Sequence, residues 1–142
     1  MNMFKITQEV KELPENFTGI AEYANVDKCW YLNGKLHRVD GPAIEYANGD
    51  KEWYLNGKQH RVGWPAFECV SGNKHWYLNG NVHREDGPAI EYANGTKEWW
   101  LNDKRFASKE AWQKALDKSK STCDGKIVEI DGKKFKLVLS EG

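Results

Sequence analysis

The chain has 142 residues, and its 21 Lys and Arg balance 21 Asp and Glu to a formal net charge of zero, so one domain with a modest core is expected and no basic excess points to nucleic acid. No stretch approaches the length of a membrane span, and the start, Met1-Asn-Met-Phe-Lys-Ile-Thr-Gln-Glu-Val10, lacks the apolar run of a signal peptide, which predicts a cytoplasmic protein. Three cysteines at unrelated spacings form neither a disulfide framework nor a zinc pattern.

Residues 1–17 read as an N-terminal capping segment, in which Phe4 to Val10 alternates weakly as a strand would before Pro14 and Asn16 break the chain. Residues 18–106 are repeats. The phrase Trp53-Tyr-Leu-Asn-Gly-Lys-Gln-His-Arg61 has copies beginning at Trp30 and Trp76 and a decayed one at Trp99, always 23 residues apart. Between them runs Gly41-Pro-Ala-Ile-Glu-Tyr-Ala-Asn-Gly-Asp50, echoed at Gly87 to Thr96 and loosely at Trp64 to Asn73, while Thr18 to Asn25 keeps the register. Self-similarity at this period means stacked supersecondary units, none of which buries its apolar face alone. Cys29 replaces a Glu found at Glu52 and Glu98, and Cys69 replaces the Tyr of Tyr46 and Tyr92.

Each repeat reads as strand, turn, strand, turn, with Asn-Gly supplying the positive-φ residues of tight hairpins at Asn33-Gly34, Asn48-Gly49, Asn56-Gly57, Asn79-Gly80 and Asn94-Gly95. The segment His37 to Pro42 then returns the chain, with Pro42 at a strand's first residue. Alternation is expected to put Ile44, Tyr46, Trp53 and Leu55 on one buried face. Tyr31, Tyr54, Tyr77 and Trp100 would then share the other face with Glu22, Glu45, Glu68 and Glu91.

Residues 107–120 read as a capping helix, with Ser108 as N-cap, Glu110 in the first turn, Lys118 in the last, and Trp112, Ala115 and Leu116 turned toward the sheet. Residues 121–142 hold a β-hairpin, Lys126 to Leu139, closed by Asp131-Gly132. The predicted fold is thus mainly β, a repeating antiparallel meander followed by a helix and a terminal hairpin. An open meander also needs its edges capped, by the N-terminal segment, by the hairpin, or by a second copy of the chain in a homodimer.

His37, His60 and His83 recur in register, each followed by Arg. One repeat spans two strand spacings, about 9 to 10 Å, whereas a zinc ion holds its nitrogens within about 2.1 Å, so no metal site is expected. Each His-Arg pair is instead expected to bond its own return loop through Asp40 or Asp86. No nucleophile elbow, phosphate loop or zinc signature is present, and a ladder of like side chains suits an extended contact surface better than a single reactive constellation. No catalytic residue, metal or cofactor is therefore assigned. The partner-binding residues expected are Tyr31, Tyr54, Tyr77 and Trp100 with Glu45, Glu68 and Glu91, since such an aromatic row is the composition of interfaces.

An aromatic pair, then Asn-Gly-Lys, then His, and later Tyr-Ala-Asn-Gly, all within 23 residues, resembles the MORN repeat. The closest likeness is to the variant class in which His-Arg-x-Asp-Gly-Pro-Ala replaces His-Gly-x-Gly. The resemblance covers Thr18 to Arg105 and departs at Gly63-Trp64, where the return loop is expected to be distorted, and at Asp103, where Gly is usual. It implies stacked hairpins in one antiparallel sheet. It also implies a non-enzymatic binding protein, phage-encoded or antitoxin-like, that inhibits a bacterial host or toxin protein in the cytoplasm. Two alternatives are a sponge that sequesters a nucleotide signal, with Arg38, Arg61 and Arg84 binding its phosphates, and a structural or self-assembling module.

Overall fold

The computed structural model describes residues 3–5, 12–121 and 127–136. The protein is mainly β, and its contacts divide it into two units, residues 1–105 and 106–142. The principal sheet runs through Met3–Lys5, Gly19–Glu22, Lys28–Leu32, Ile44–Glu45, Lys51–Glu52, Phe67–Glu68, Lys74–His75, Ile90–Glu91, Lys97–Leu101 and Lys104–Phe106, in that order. Lys35–Leu36 pairs beside Lys28–Leu32. Tyr54–Leu55 with Lys58–Gln59, and Tyr77–Leu78 with Asn81–Val82, close small hairpins of their own. From Gly19 onward each repeat thus adds two strands to the meander and one hairpin beside it.

The first strand pairs parallel to Gly19–Glu22, with Met3 opposite Ile20. This edge is capped by the N-terminal segment, as expected, although the strand begins at Met3 rather than Phe4 and residues 6–10 of the predicted span lie outside the described residues. The connection between the two strands is long enough to let them run the same way, which a tight turn would forbid.

Two kinds of turn alternate. Asn33-Gly34, Asn56-Gly57 and Asn79-Gly80 have positive φ at both residues (51° and 75° in the first), the two-residue hairpin geometry that Asn-Gly favours. At Asn48-Gly49 only Gly49 is left-handed, at 96°. Here the loop has three residues: Gly49 N–H donates to Tyr46 O at 2.9 Å and Tyr46 N–H to Asp50 O at 3.0 Å, while Asn48 Oδ1 accepts the Asp50 N–H.

That extra residue corrects the expected faces. A two-residue loop at Asn48-Gly49 would set Ile44 opposite Trp53. The three-residue loop sets Ile44 opposite Glu52 and Glu45 opposite Lys51, and a slip of one residue exchanges the faces of a whole strand. One face therefore carries Ala21, Cys29, Ile44, Glu52, Phe67, His75, Ile90 and Glu98 across the strands. Tyr54 and Tyr46 are on this face too, since both hydroxyls donate to Glu52 at 2.8 Å. Trp53 lies on the opposite face, grouped with Glu45 rather than with Ile44.

The repeats are locked by bonds that themselves recur every repeat. Gly34 N–H donates to Phe17 O, Gly57 N–H to Leu36 O, Gly80 N–H to Gln59 O and Asp103 N–H to Val82 O, all within 2.8–3.0 Å. On the other rim Asp27 accepts the Ala47 N–H, Asp50 the Val70 N–H and Asn73 the Ala93 N–H. The bond from Val70 holds the Asp50 carboxyl below its usual range. The core is thin: the fully buried side chains include Ala43, Ala66 and Ala89, one per repeat.

Two turns give opposite predictions. Val26 stands where later repeats have Gly49, Gly72 and Gly95, and keeps their left-handed backbone at φ 63°, a conformation unfavourable to a β-branched residue. Val26→Gly should therefore stabilise by about 0.5 to 1 kcal/mol, the strain relieved less the chain entropy glycine adds. Gly34→Ala should cost about 2 kcal/mol, because φ is 75° and a Cβ would collide with the Glu15 carbonyl. Urea unfolding of both variants checks this, and a neutral Gly34→Ala would show that the Glu15 segment yields freely.

In the second unit, the helix spans Lys109–Ser121. Ser108 caps it, its Oγ accepting the Ala111 N–H and its carbonyl the Trp112 N–H, both at 3.1 Å. Trp112 and Leu116 are buried and Ala115 half-buried. Ile127–Ile130 and Lys133–Lys136 form the terminal hairpin around Asp131-Gly132, with φ 52° and 75°.

Candidate binding surface

On the tryptophan face the charged residues are structural. Across the strands Glu22, Lys28, Glu45, Lys51, Glu68, Lys74, Glu91 and Lys97 stand opposite one another in alternating sign, the favourable arrangement for cross-strand pairs. Each return-loop arginine lies flat on a tryptophan. The Arg38, Arg61 and Arg84 guanidinium carbons are 4.0, 3.8 and 4.0 Å from the ring centroids of Trp30, Trp53 and Trp76. Each arginine also donates from a terminal nitrogen to a loop carbonyl (Pro42, Pro65 or Pro88) and to a glutamate (Glu45, Glu68 or Glu91).

This corrects one expectation about the site. Glu45, Glu68 and Glu91 do not share a face with the tyrosines, because the register places them with Trp53 and Arg61. Arg38, Arg61 and Arg84, the phosphate contacts of the nucleotide alternative, bond these glutamates. The expected His-Arg role holds for two of the arginines, Arg38 bonding Asp40 at 3.1 Å and Arg84 bonding Asp86 at 2.6 Å, while among the histidines His83 meets its own loop at Glu85, Nε2 to Oε1 3.3 Å. All three histidines reach forward: Nδ1 of His37, His60 and His83 accepts the N–H of Asn56, Asn79 and Asn102 in the next repeat's turn, at 3.0–3.1 Å. That bond places the neutral ring's proton on Nε2 and makes each histidine a tie between repeats.

On the tyrosine face, Tyr31, Tyr54, Tyr77 and Trp100 are all half-buried. Glu52 is held by the Tyr46 and Tyr54 hydroxyls and by Gln59 Nε2, each at 2.8 Å. Glu98 accepts from Trp100 Nε1 at 2.9 Å. Burial first, and the neighbouring Glu52 next, push the Tyr46 and Tyr54 hydroxyls well above the ordinary phenol range. Burial likewise raises the Cys29 thiol to about 11, so it carries no thiolate at neutral pH.

His75 takes the place of Glu52 and Glu98 in the third repeat, among the rings of Phe67 at 5.2 Å, Tyr92 at 6.2 Å and Tyr77 at 6.4 Å. Burial holds its pKa below the usual 6.5, against an opposing pull from the Glu98 carboxylate. A histidine depressed in the fold binds fewer protons than in the unfolded chain, so stability is full above pH 6.5 and falls as pH drops from there through the native value. His75→Phe should flatten this dependence. Urea midpoints at pH 7.5 and 5.5 measure it, and an unchanged pH difference in the variant would remove His75 as its source.

The sequence reading missed the return loops. Val39 and Val62, in register, are 83% and 73% exposed, and Trp64 is 65% exposed. The two valines line grooves that also repeat. The first, of about 530 Å³, is lined by Val39, Pro42, Trp53, Leu55, His60 and Val62 among others. The second, of about 340 Å³, is lined by Val62, Gly63, Trp76, Leu78 and His83 among others. Each groove has a tryptophan and a leucine of one repeat and the loop valine of the repeat before. Gly63-Trp64 is the one departure from Asp-Gly in these loops. It leaves Arg61 without an aspartate but does not disturb its bonds to Pro65 and Glu68, and Gly63 takes the positive φ of 76° that lets Trp64 stand out. The valines recur at the same place in the repeat, and that recurrence was the available signal.

The chain matches no protein-family model, no curated protein and no solved structure.

Proposed function

We propose that this protein is a non-catalytic binding module that acts by direct contact with another protein through its return loops. One observation carries the reading. The repeated Arg, His and Glu side chains are engaged in bonds within and between repeats, whereas Val39 and Val62 stand exposed along two grooves that also hold Trp53 with Leu55 and Trp76 with Leu78, and Trp64 stands exposed two residues past Val62. Large exposed apolar side chains concentrated in one place mark contact surfaces. Asp40 and Asp86 beside them, with side chains 87% and 75% exposed, favour a partner with basic residues around an apolar contact. The MORN-variant resemblance supplies the class of partner, a bacterial host or toxin protein that the chain would inhibit. A nucleotide ligand is less favoured, because its phosphates would have to draw Arg38, Arg61 or Arg84 away from Glu45, Glu68 and Glu91.

The test is retention of bacterial proteins by the immobilised full chain, compared with Val62→Asp and Trp64→Asp variants of unchanged circular dichroism. A protein held by the wild type and released by both variants, then bound as a purified species, supports the reading. Equal retention by all three overturns it.

A further inference from the structure

Resting on that reading, we infer that the two return-loop grooves take an extended, proline-rich segment in the polyproline II conformation, with an apolar side chain at every third residue. The spacing comes first. The grooves are related by one repeat, hence by two strand separations of about 4.8 Å each, or about 9.6 Å. Polyproline II rises about 3.1 Å per residue with three residues per turn, so residues i and i+3 lie on one edge about 9.3 Å apart. A β-strand puts i and i+3 on opposite faces, and its like-facing residues recur near 6.7 or 13.4 Å. A helix returns to the same face after three to four residues, about 5.4 Å, and again after seven, about 10.5 Å.

The donor pattern favours the same ligand. Trp76 lines the second groove and is 8% exposed, and its Nε1 is buried with no acceptor among the described residues. A ligand with unengaged carbonyl oxygens would give it one. Polyproline II leaves its backbone carbonyls free, whereas a helix uses them internally. Each groove holds one tryptophan, and grooves with aromatic side chains in their walls recognise this conformation because its ordering cost is already low. The grooves supply Trp53 with Leu55 and Trp76 with Leu78, and Asp40 and Asp86, each bonded to its own arginine but with side chains 87% and 75% exposed, leave carboxylate surface for a Lys or Arg beside the apolar positions.

The probe is a fluorescein-labelled peptide, Arg-Pro-Leu-Pro-Pro-Leu-Pro-Pro, titrated with the full chain by fluorescence polarisation. Saturable binding is expected, weakened at least about tenfold when the same residues are reordered to put the leucines two apart. Val62→Asp and the donor-removing Trp76→Phe should each weaken it comparably. Val70→Asp, an equally exposed position at a turn outside both grooves, should leave it unchanged. No saturation at millimolar chain, equal binding of the reordered peptide, tighter binding of a helix-forming peptide with leucines seven apart, or indifference to Val62→Asp would each overturn the inference. If the peptides fail while Val62→Asp still releases the captured protein, the ligand class is wrong and the binding module stands; if both fail, both are wrong.

Discussion

Glu52→Ala should lower the stability of the protein by about 3 to 4 kcal/mol. The carboxylate collects three donors at 2.8 Å, the hydroxyls of Tyr46 and Tyr54 and the amide of Gln59, and bonds to a charged acceptor contribute about 1.5 to 3 kcal/mol each before solvent takes its share. All four side chains are half-buried, so water recovers part of the loss and the sum stays well under three full bonds. The hydroxyls also come from either side of the Asn48-Gly49 turn, Tyr46 before it and Tyr54 after it, so the truncation loosens that turn. Glu52→Gln, which keeps an acceptor for two of the three donors, should cost less than half as much. Chemical denaturation of the two variants is the measurement. A loss under about 1 kcal/mol in Glu52→Ala would mean that the tyrosine hydroxyls are hydrated on this face and that the carboxylate does not organise it.

The period, the hairpins and the capped helix were legible because each rests on local chemistry. Asn-Gly at Asn33, Asn56 and Asn79 specifies a two-residue turn, and Ser108 with Glu110 and Lys118 specifies a helix start and end whatever surrounds them. The face of each strand was not legible, for a reason confined to one residue per repeat. Asn48-Gly49 carries the same letters as Asn56-Gly57, yet Gly49 alone is left-handed and Asn48 turns its side chain onto Asp50, lengthening the loop to three residues and reversing which side chains meet. The residue after the glycine does not distinguish the two turns, since the N–H that Asn48 accepts is a backbone group and Thr96 gives the same bond to Asn94. The histidines illustrate a second limit. Their partners lie 19 residues ahead, in the next repeat's turn, and spacing within one repeat cannot reveal a bond made between two. The return-loop surface was not legible because exposure is set by tertiary packing: it half-buries Tyr31, Tyr54 and Tyr77 and leaves Val39 and Val62 in solvent, although valine is ordinarily a core residue.

Trp76→Ala should cost about 3 to 5 kcal/mol, the range for truncating a buried aromatic side chain, and so remove much of the stability of a domain this size. Its ring is 8% exposed and supports the Arg84 guanidinium at 4.0 Å, so the truncation opens a cavity and leaves Arg84 without the surface it lies on. Trp53, on the same face but half-buried, should cost less. Tyr77→Ala, on the other face, should also cost less than Trp76→Ala, because its ring is half-buried and makes its contact with His75 at 6.4 Å. The informative companion is Trp76→Phe. A tryptophan whose N–H is bonded loses that bond with the indole, whereas Trp76 Nε1 has no acceptor among the described residues, so the replacement gives up ring volume alone and should cost under about 1.5 kcal/mol. Urea unfolding of the four variants separates these terms. If Trp76→Phe proved as damaging as Trp76→Ala, the indole N–H would have to be engaged in the folded chain, and both the orphan donor and its part in recognising a ligand carbonyl would fall.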